Sequence, residues 1–284
     1  MTRAPRRFAF TSVAGFAIAA ACVLGGLLLE KGELRDVGQV TAALIVFGGT
    51  MGAVLVGTPN AVLWSALRRL RSLLWEEQEE PSGVIEELIR YSRKARVTGI
   101  LSLESEAEEI GDPFFRKGMM LLVDGVEAAE IRRVMELDLI IFENQAESDA
   151  KVFDTAGGYA PTIGIIGAVI GLIQVMKHLE SLSDVGHGIA VAFVATLYGV
   201  GLANLVLLPI ASRIRVRSEL TAHFRELIVE GVIILQAGMN PRLVERMLEG
   251  FTKRHTTTAA NRATESAVAG RSGAPHDADI AEAG

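Results

Sequence analysis

The run Gly158-Tyr-Ala-Pro-Thr-Ile-Gly-Ile-Ile-Gly-Ala-Val-Ile-Gly-Leu-Ile-Gln-Val-Met176 contains no Asp, Glu, Lys, Arg or His. A helix rises about 1.5 Å per residue, so about 20 such residues cross a hydrocarbon layer of about 30 Å. Three further stretches read the same way: Phe8 to Leu29, Val37 to Gly57 and Gly188 to Ser212. Only the segments 30–36 and 177–187 separate the members of each pair, so the spans form two helical hairpins. The expected fold is therefore an all-α membrane protein with four transmembrane helices in two hairpins. A helical cytoplasmic domain lies between the hairpins, and a helical cytoplasmic segment follows them.

Composition agrees with this division between lipid and water. Of 284 residues, 50% are apolar and 22% charged, and the mean hydropathy is +0.34, high for a soluble chain of this length. The charges concentrate between Arg68 and Asp154 and avoid the spans. Arginines flank the spans on one side: Arg3, Arg6 and Arg7 before the first, Arg68, Arg69 and Arg71 after the second, and Arg213, Arg215 and Arg217 after the fourth. The hairpin tips carry only Lys31, Arg35 and Lys177. Positive charge is retained on the cytoplasmic side, which places both termini and the central segment in the cytoplasm and the spans in the inner membrane. Ala19-Ala20-Ala21-Cys22 resembles a lipoprotein cleavage site, but apolar residues continue to Leu29, and a retained span is the better reading.

The domain limits follow. Residues 1–57 form the first hairpin, 58–157 the cytoplasmic helical domain, 158–212 the second hairpin, 213–255 the C-terminal cytoplasmic helices and 256–284 a disordered tail. Within the central domain, Val84, Ile85, Leu88 and Ile89 recur at helical spacing and predict an amphipathic helix ending near Gly99. Another helix begins near Ser102 to Glu104, Pro113 opens the next, and Val126 to Asp154 reads as long and helical. No alternating strand pattern occurs. Glycine then proline at Gly238 to Pro241 interrupt the last helices.

The net charge of −6 and the placement of the basic residues beside the spans exclude a nucleic-acid footprint. The single Cys22 and five scattered histidines supply neither a disulfide framework nor a metal cluster. No phosphate-cradling loop or nucleophile motif is present, and the chain reads as a non-enzyme without cofactor. The spans also lack the ionisable residues on which intramembrane ion sites are built. They offer small and polar groups instead, with Gly164, Gly167 and Gly171 clearing one face of the third span.

Each of these features has a plain structural reading. Gly167-xxx-Gly171 and Gly48-xxx-Gly52 are helix-packing patterns. Thr196 can bond its own preceding turn. Pro161 reads as an N1 proline and Gly157-Gly158 as a helix start, while Pro209 bends the fourth span. Arg96 and Glu104 sit at helix ends where the dipole favours them. The acidic run Glu76, Glu77, Glu79 and Glu80 is a solvated face.

Gly158 to Leu172, together with Val191-Ala-Phe-Val-Ala-Thr-Leu-Tyr-Gly-Val-Gly-Leu-Ala-Asn204, resembles the MotA/PomA stator family of the flagellar motor. Arg96-Val-Thr-Gly-Ile-Leu-Ser-Leu-Glu104 and Asn240-Pro241 are similar to two further motifs of that family. The resemblance implies an ion channel made with a MotB-type partner whose span supplies the ion-binding aspartate, with five copies of this chain around two of the partner. Inward cation flow, with protons preferred because Ala168 stands where sodium-driven relatives tend to carry a second threonine in the third-span motif and Ala195 precedes Thr196, would drive torque on the rotor switch protein FliG. The implied channel lining is Thr196, Thr162, Ala168 and Tyr198, the torque-coupling prolines are Pro161 and Pro241, and the rotor contact is Arg96 and Glu104. The alternative is an ExbB/TolQ-type channel subunit energising a periplasmic or outer-membrane process, against which four spans and a basic N-terminus argue.

Overall fold

The computed structural model describes residues 7–8, 10–29, 37–73, 75–76 and 81–239, and beyond these 241, 243, 245–247 and 250. The first hairpin tip with Lys31 and Arg35, the arginines at 3 and 6, most of the acidic run at 76–80, and the tail at 256–284 lie outside the described residues. The described chain is almost wholly helical: α1 (Phe10–Leu29), α2 (Val40–Gly57), α3 (Asn60–Leu73), α4 (Pro81–Thr98), α5 (Glu104–Glu108), α6 (Pro113–Val123), α7 (Ala128–Lys177) and α8 (Leu182–Gln236). Three of these, α2, α7 and α8, are long and apolar enough to cross a membrane, and Ala14–Leu29 forms a shorter apolar helix. Against the expectation of no strand, Arg7–Phe8 pairs antiparallel with Trp75–Glu76.

Local signals explain the helix ends. Asp112 caps α6 by accepting a hydrogen bond from the Phe115 N–H at 2.8 Å, and Pro113 follows at a position whose N–H has no intrahelical use. Ser181 caps α8 in the same way. Helix α4 stops at Gly99, whose φ of +84° is a left-handed conformation that a side chain disfavours.

The largest departure from the sequence reading concerns α7. The predicted helix 126–154 and the predicted span 158–176 are one helix of 50 residues, Ala128–Lys177. Gly157, Gly158 and Pro161 therefore lie inside a helix, and the readings of a helix start and an N1 proline are corrected. A membrane boundary is a change of solvent and gives the backbone no reason to break its hydrogen-bond ladder. Pro161 instead leaves the Gly157 carbonyl without its usual donor four residues on. In α8 the ladder shifts to a π-turn at Leu202–Leu207, just before Pro209, so this proline too sits beside an altered stretch of backbone.

The chain forms two compact units, one of Glu80–Leu137 with the residues from His223 on, the other of Thr2–Glu79 with Asp138–Ala222. Helices α7 and α8 contribute to both. The first unit has a core of large side chains: Leu88, Leu103, Phe115, Met119, Leu122, Ile131, Met135 and Ile228 are each at most 1% exposed. Complete burial of such a side chain contributes about 1.5–3 kcal/mol. Gly118 leaves room for Met135, and Gly231 for Leu88.

The second unit is built of smaller residues. Ala66, Ala146, Ala150, Ala156 and Ala211 fill one cluster with Phe153 and Ile214. Ala42, Val46, Val191, Val194 and Ala195 fill another. Lipid tails are as apolar as leucine, so helices in a bilayer gain by close backbone approach, which small residues allow.

Candidate functional site

Three parallel rows of side chains define the second hairpin. The first row is the seam between its helices: Ala160, Gly164, Gly167 and Gly171 on α7 face Gly188, Ala192, Ala195 and Gly199 on α8. A side chain at Gly164 would come within 2.8 Å of the Ala195 carbonyl oxygen, and one at Gly171 within 2.7 Å of the Gly188 carbonyl oxygen. The backbones touch, and the helices run antiparallel, since Gly171 meets Gly188 while Gly164 meets Gly199.

The second row lies one position earlier on each helix. Ile163 packs on Gly49 of α2, and Val191, Val194 and Tyr198 pack with Ala42 and Val46 of α2. The Tyr198 hydroxyl donates to the Val37 carbonyl, and its ring meets Phe47 with centroids 6.1 Å apart. On α8 this side is covered by α2, whereas on α7 Ile163 is held by it and Tyr159, Ile166 and Ile170 stay exposed.

The third row lies one position later than the seam. It comprises Pro161, Ile165, Ala168 and Leu172 on α7 and Ile189, Phe193, Thr196 and Val200 on α8, each set spaced four, three and four residues apart. In an antiparallel pair these rows share one side of the hairpin. That side is open: Ile165 is 57%, Phe193 74% and Val200 46% exposed.

The four residues expected to line a channel are thus divided. Thr196 and Ala168 share the open row with Pro161. Tyr198 lies on the α2 side, and Thr162 falls on the α7 face pointing away from α8, where it is exposed and donates to the Tyr159 carbonyl at 2.8 Å. The Thr196 hydroxyl donates to the Ala192 carbonyl at 3.2 Å, the local bond expected of threonine in a span. Its oxygen retains acceptor capacity. The glycine pairs also differ from one another. Gly167 and Gly171 sit in the seam, whereas side chains at Gly48 and Gly52 would meet nothing within 4 Å, so that pair packs against nothing in the described chain. Gly49, between them, does pack.

A polar cluster missed by the sequence reading lies farther along α7. Asp149 is fully buried and has both carboxylate oxygens satisfied: Oδ2 accepts from Arg69 Nε at 2.6 Å and Ser65 Oγ at 3.1 Å, Oδ1 from Gln145 Nε2 at 3.1 Å. A charge taken out of water needs such partners. The guanidinium of Arg69 also sits 5.6 Å from the Phe142 ring centroid. The legible signal was Gln145 and Asp149 sharing a helix face with Ala146, Ala150 and Phe153, an acid framed by small and apolar residues. Nearby, Arg215 of α8 grips Glu147 through two 2.8 Å bonds and also binds Asp154. Hydrogen bonding to Arg215 holds the Glu147 carboxyl below its ordinary range, and the two carboxylates raise Arg215.

In the other unit, Arg96 occupies the last turn of α4 and Glu104 the first turn of α5. Both are exposed and neither pairs with another described residue. Two residues outside each of them in sequence, Lys94 binds Glu106 at 2.8 Å. Pro241 is half-buried just beyond Gly238.

Comparison with known proteins accounts for both halves of this arrangement. Residues 106–226 match the MotA/TolQ/ExbB proton channel family, and residues 13–95 match the Motility protein A N-terminal family. Motility protein A of Bacillus subtilis (strain 168) is 33% identical over 242 residues, 84% of this chain and 88% of the relative. Chemotaxis protein PomA of Vibrio alginolyticus is 32% identical over 240 residues, 84% of this chain and 92% of the relative. Among solved structures, the flagellar MotAB stator complex from Bacillus subtilis superposes with a TM-score of 0.79 at 31% identity, over 85% of this chain and 95% of that one.

Proposed function

Because this chain belongs to the MotA/TolQ/ExbB proton channel family, in its Motility protein A branch, we propose that it works as the membrane stator subunit of a flagellar motor. It forms an ion channel with a MotB-type partner and couples cation flow to torque. The observation that carries this reading is the row that holds half-buried Pro161, Ala168 and Thr196 between exposed Ile165, Phe193 and Val200, on a hairpin whose α8 helix is covered by α2 on its opposite side. The spans hold no carboxylate, so an ion crossing along this row needs a titratable group from a neighbouring helix. A partner span seated on the row supplies it.

The finer assignments extend this reading. Four spans in the inner membrane, with both termini cytoplasmic, fit the arginine distribution. Five copies of the chain around a partner dimer would enclose the open rows in a ring. Thr196 and Ala168 line the path with Thr162 and Tyr198 in supporting positions, Pro161 and Pro241 couple ion passage to movement, and Arg96 with Glu104 meets FliG. Pro161 suits its role because it interrupts the α7 ladder at Gly157, where a side chain would press on Leu208 of α8, beside Pro209. Alanine at 168 supports protons over sodium, since no second hydroxyl is offered there to a desolvated ion.

The test is complementation. A strain lacking its own stator pair, supplied with this chain and its partner, is expected to swim, and Thr196→Val or Pro161→Ala to stop swimming while filaments are still built. Swimming that persists without a sodium gradient supports protons. A strain that swims equally well with Thr196→Val argues against the open row as the ion path.

A further inference from the structure

The turn that joins α4 to α5 presents an apolar pair to water. Val97 is 85% and Leu101 70% exposed, more than any other large apolar side chain described in their unit. The surroundings are aqueous: Arg93, Arg96, Glu104 and Glu108 are all exposed nearby. Exposed apolar residues in a membrane span are met by lipid, and a single one on a soluble surface is ordinary. Two on one turn, rimmed by a free cation and a free anion, have the composition of an interface centre with its rim.

The turn is also held in shape before any partner arrives. Gly99 takes its left-handed φ, and the Gly99 N–H donates to the Ala95 carbonyl at 2.9 Å. The hydroxyls of Thr98 and Ser102 share a 2.7 Å hydrogen bond, and Ser102 donates to the Gly99 carbonyl at 2.6 Å. The Lys94–Glu106 pair ties the two helices across the corner. Beneath it, Leu103 and Ala107 are fully buried. A preorganised apolar tip loses little entropy on docking.

Resting on the stator reading above, we propose that Val97 and Leu101 form the apolar centre of the rotor-contact surface, with Arg96 and Glu104 as its charged rim. The fitting partner is a rotor segment carrying an apolar side chain between a carboxylate, opposite Arg96, and a cation, opposite Glu104. The rim charges set approach and register, since exposed pairs act over about 8–10 Å and are weakened by salt. The apolar centre holds the contact while force is applied.

The experiment uses the complete stator complex in motile cells that lack their own copy. The double variant Val97→Ser with Leu101→Ser is compared with Val97→Ile with Leu101→Met, and ion conduction is measured alongside stall torque per stator. Both sites are exposed, so folding is unaffected. With the serine pair, membrane level and conduction are expected to be unchanged while torque falls about tenfold, the usual scale for truncating an interface anchor; the apolar pair retains most of the torque. A photoreactive residue at 97 is expected to cross-link to the rotor switch protein. Full torque from the serine pair, conduction lost together with torque, or cross-links only to lipid or a second stator copy each overturn the proposal. Failure of the unsubstituted chain to restore swimming is a separate result that removes the stator reading and this proposal with it.

Discussion

The unit built on Glu80–Leu137 and the hairpin of α7 and α8 reach tight packing by opposite routes. The first encloses Leu88, Phe115, Met119 and Ile228, each at most 1% exposed. The second brings backbones together at Gly164, Gly171, Gly188 and Gly199, where an added Cβ would meet a carbonyl oxygen within 3.0 Å. The cause is the solvent. In water, an apolar side chain gains by leaving it, and the gain grows with its area. In lipid that gain is absent, and what remains is van der Waals contact, which grows as helices approach. One chain thus relies on bulk in one region and on close backbone approach in another, so truncation is the telling substitution in the first and enlargement in the second.

The largest effect is expected from Phe115→Ala, which removes a fully buried ring from the large-residue core and should cost about 3–5 kcal/mol. Thermal unfolding of the detergent-purified chain measures it, and a loss below about 1 kcal/mol would mean that this core is not held by bulk. Gly164→Val comes next. Its methyl groups press on the Ala195 carbonyl, and overpacking of this kind costs about 1–3 kcal/mol. Gly52→Val, where nothing lies within 4 Å, is the matched control, read by the same melting and by co-purification with the partner subunit. Equal effects at the two glycines would break the comparison.

The smallest effect concerns the polar end of the hairpin. Arg215 depresses the Glu147 pKa, so the pair's contribution is complete above the ordinary glutamate value of 4.5 and is lost as pH falls below it. Glu147 is half exposed, and solvent screening limits the contribution to a few tenths of a kcal/mol. Glu147→Gln is expected to flatten the acid limb of the stability profile slightly and leave neutral pH nearly unchanged. A large loss at pH 7 would show that the pair does more than an exposed ion pair can.

Much of this was legible in the residues themselves. Uncharged runs announce spans because a bilayer has no water for polar groups, and Gly99, Gly238 and Pro113 mark helix ends by backbone chemistry alone. The turn-local bond of Thr196 also followed from its residue type. The row structure of the hairpin was only half visible. Gly164, Gly167 and Gly171 signalled a seam, but only the partner helix distinguishes that seam from Gly48 and Gly52, which share the spacing and pack on nothing. The division of Tyr198 and Thr162 from Thr196 needed the position of α2. Pro161 was misplaced because a proline after glycines reads as a helix start, whereas the apolar seam with α8 holds the helix together through it. Asp149 was hidden because its main partner, Arg69, is distant in sequence.

That distance has a meaning for biosynthesis. Arg69 precedes Asp149 by 80 residues, about 4–16 s of translation at about 5–20 residues per second. Throughout that interval Asp149 is not yet available to the arginine, which on the proposed topology would serve with Arg68 and Arg71 to anchor the newly inserted first hairpin. When Asp149 emerges, its cation has already been synthesised. On the proposed topology one guanidinium would serve first as an insertion signal and afterwards as a tertiary lock, and a neutral residue at 69 would disturb the order of assembly as well as its end point.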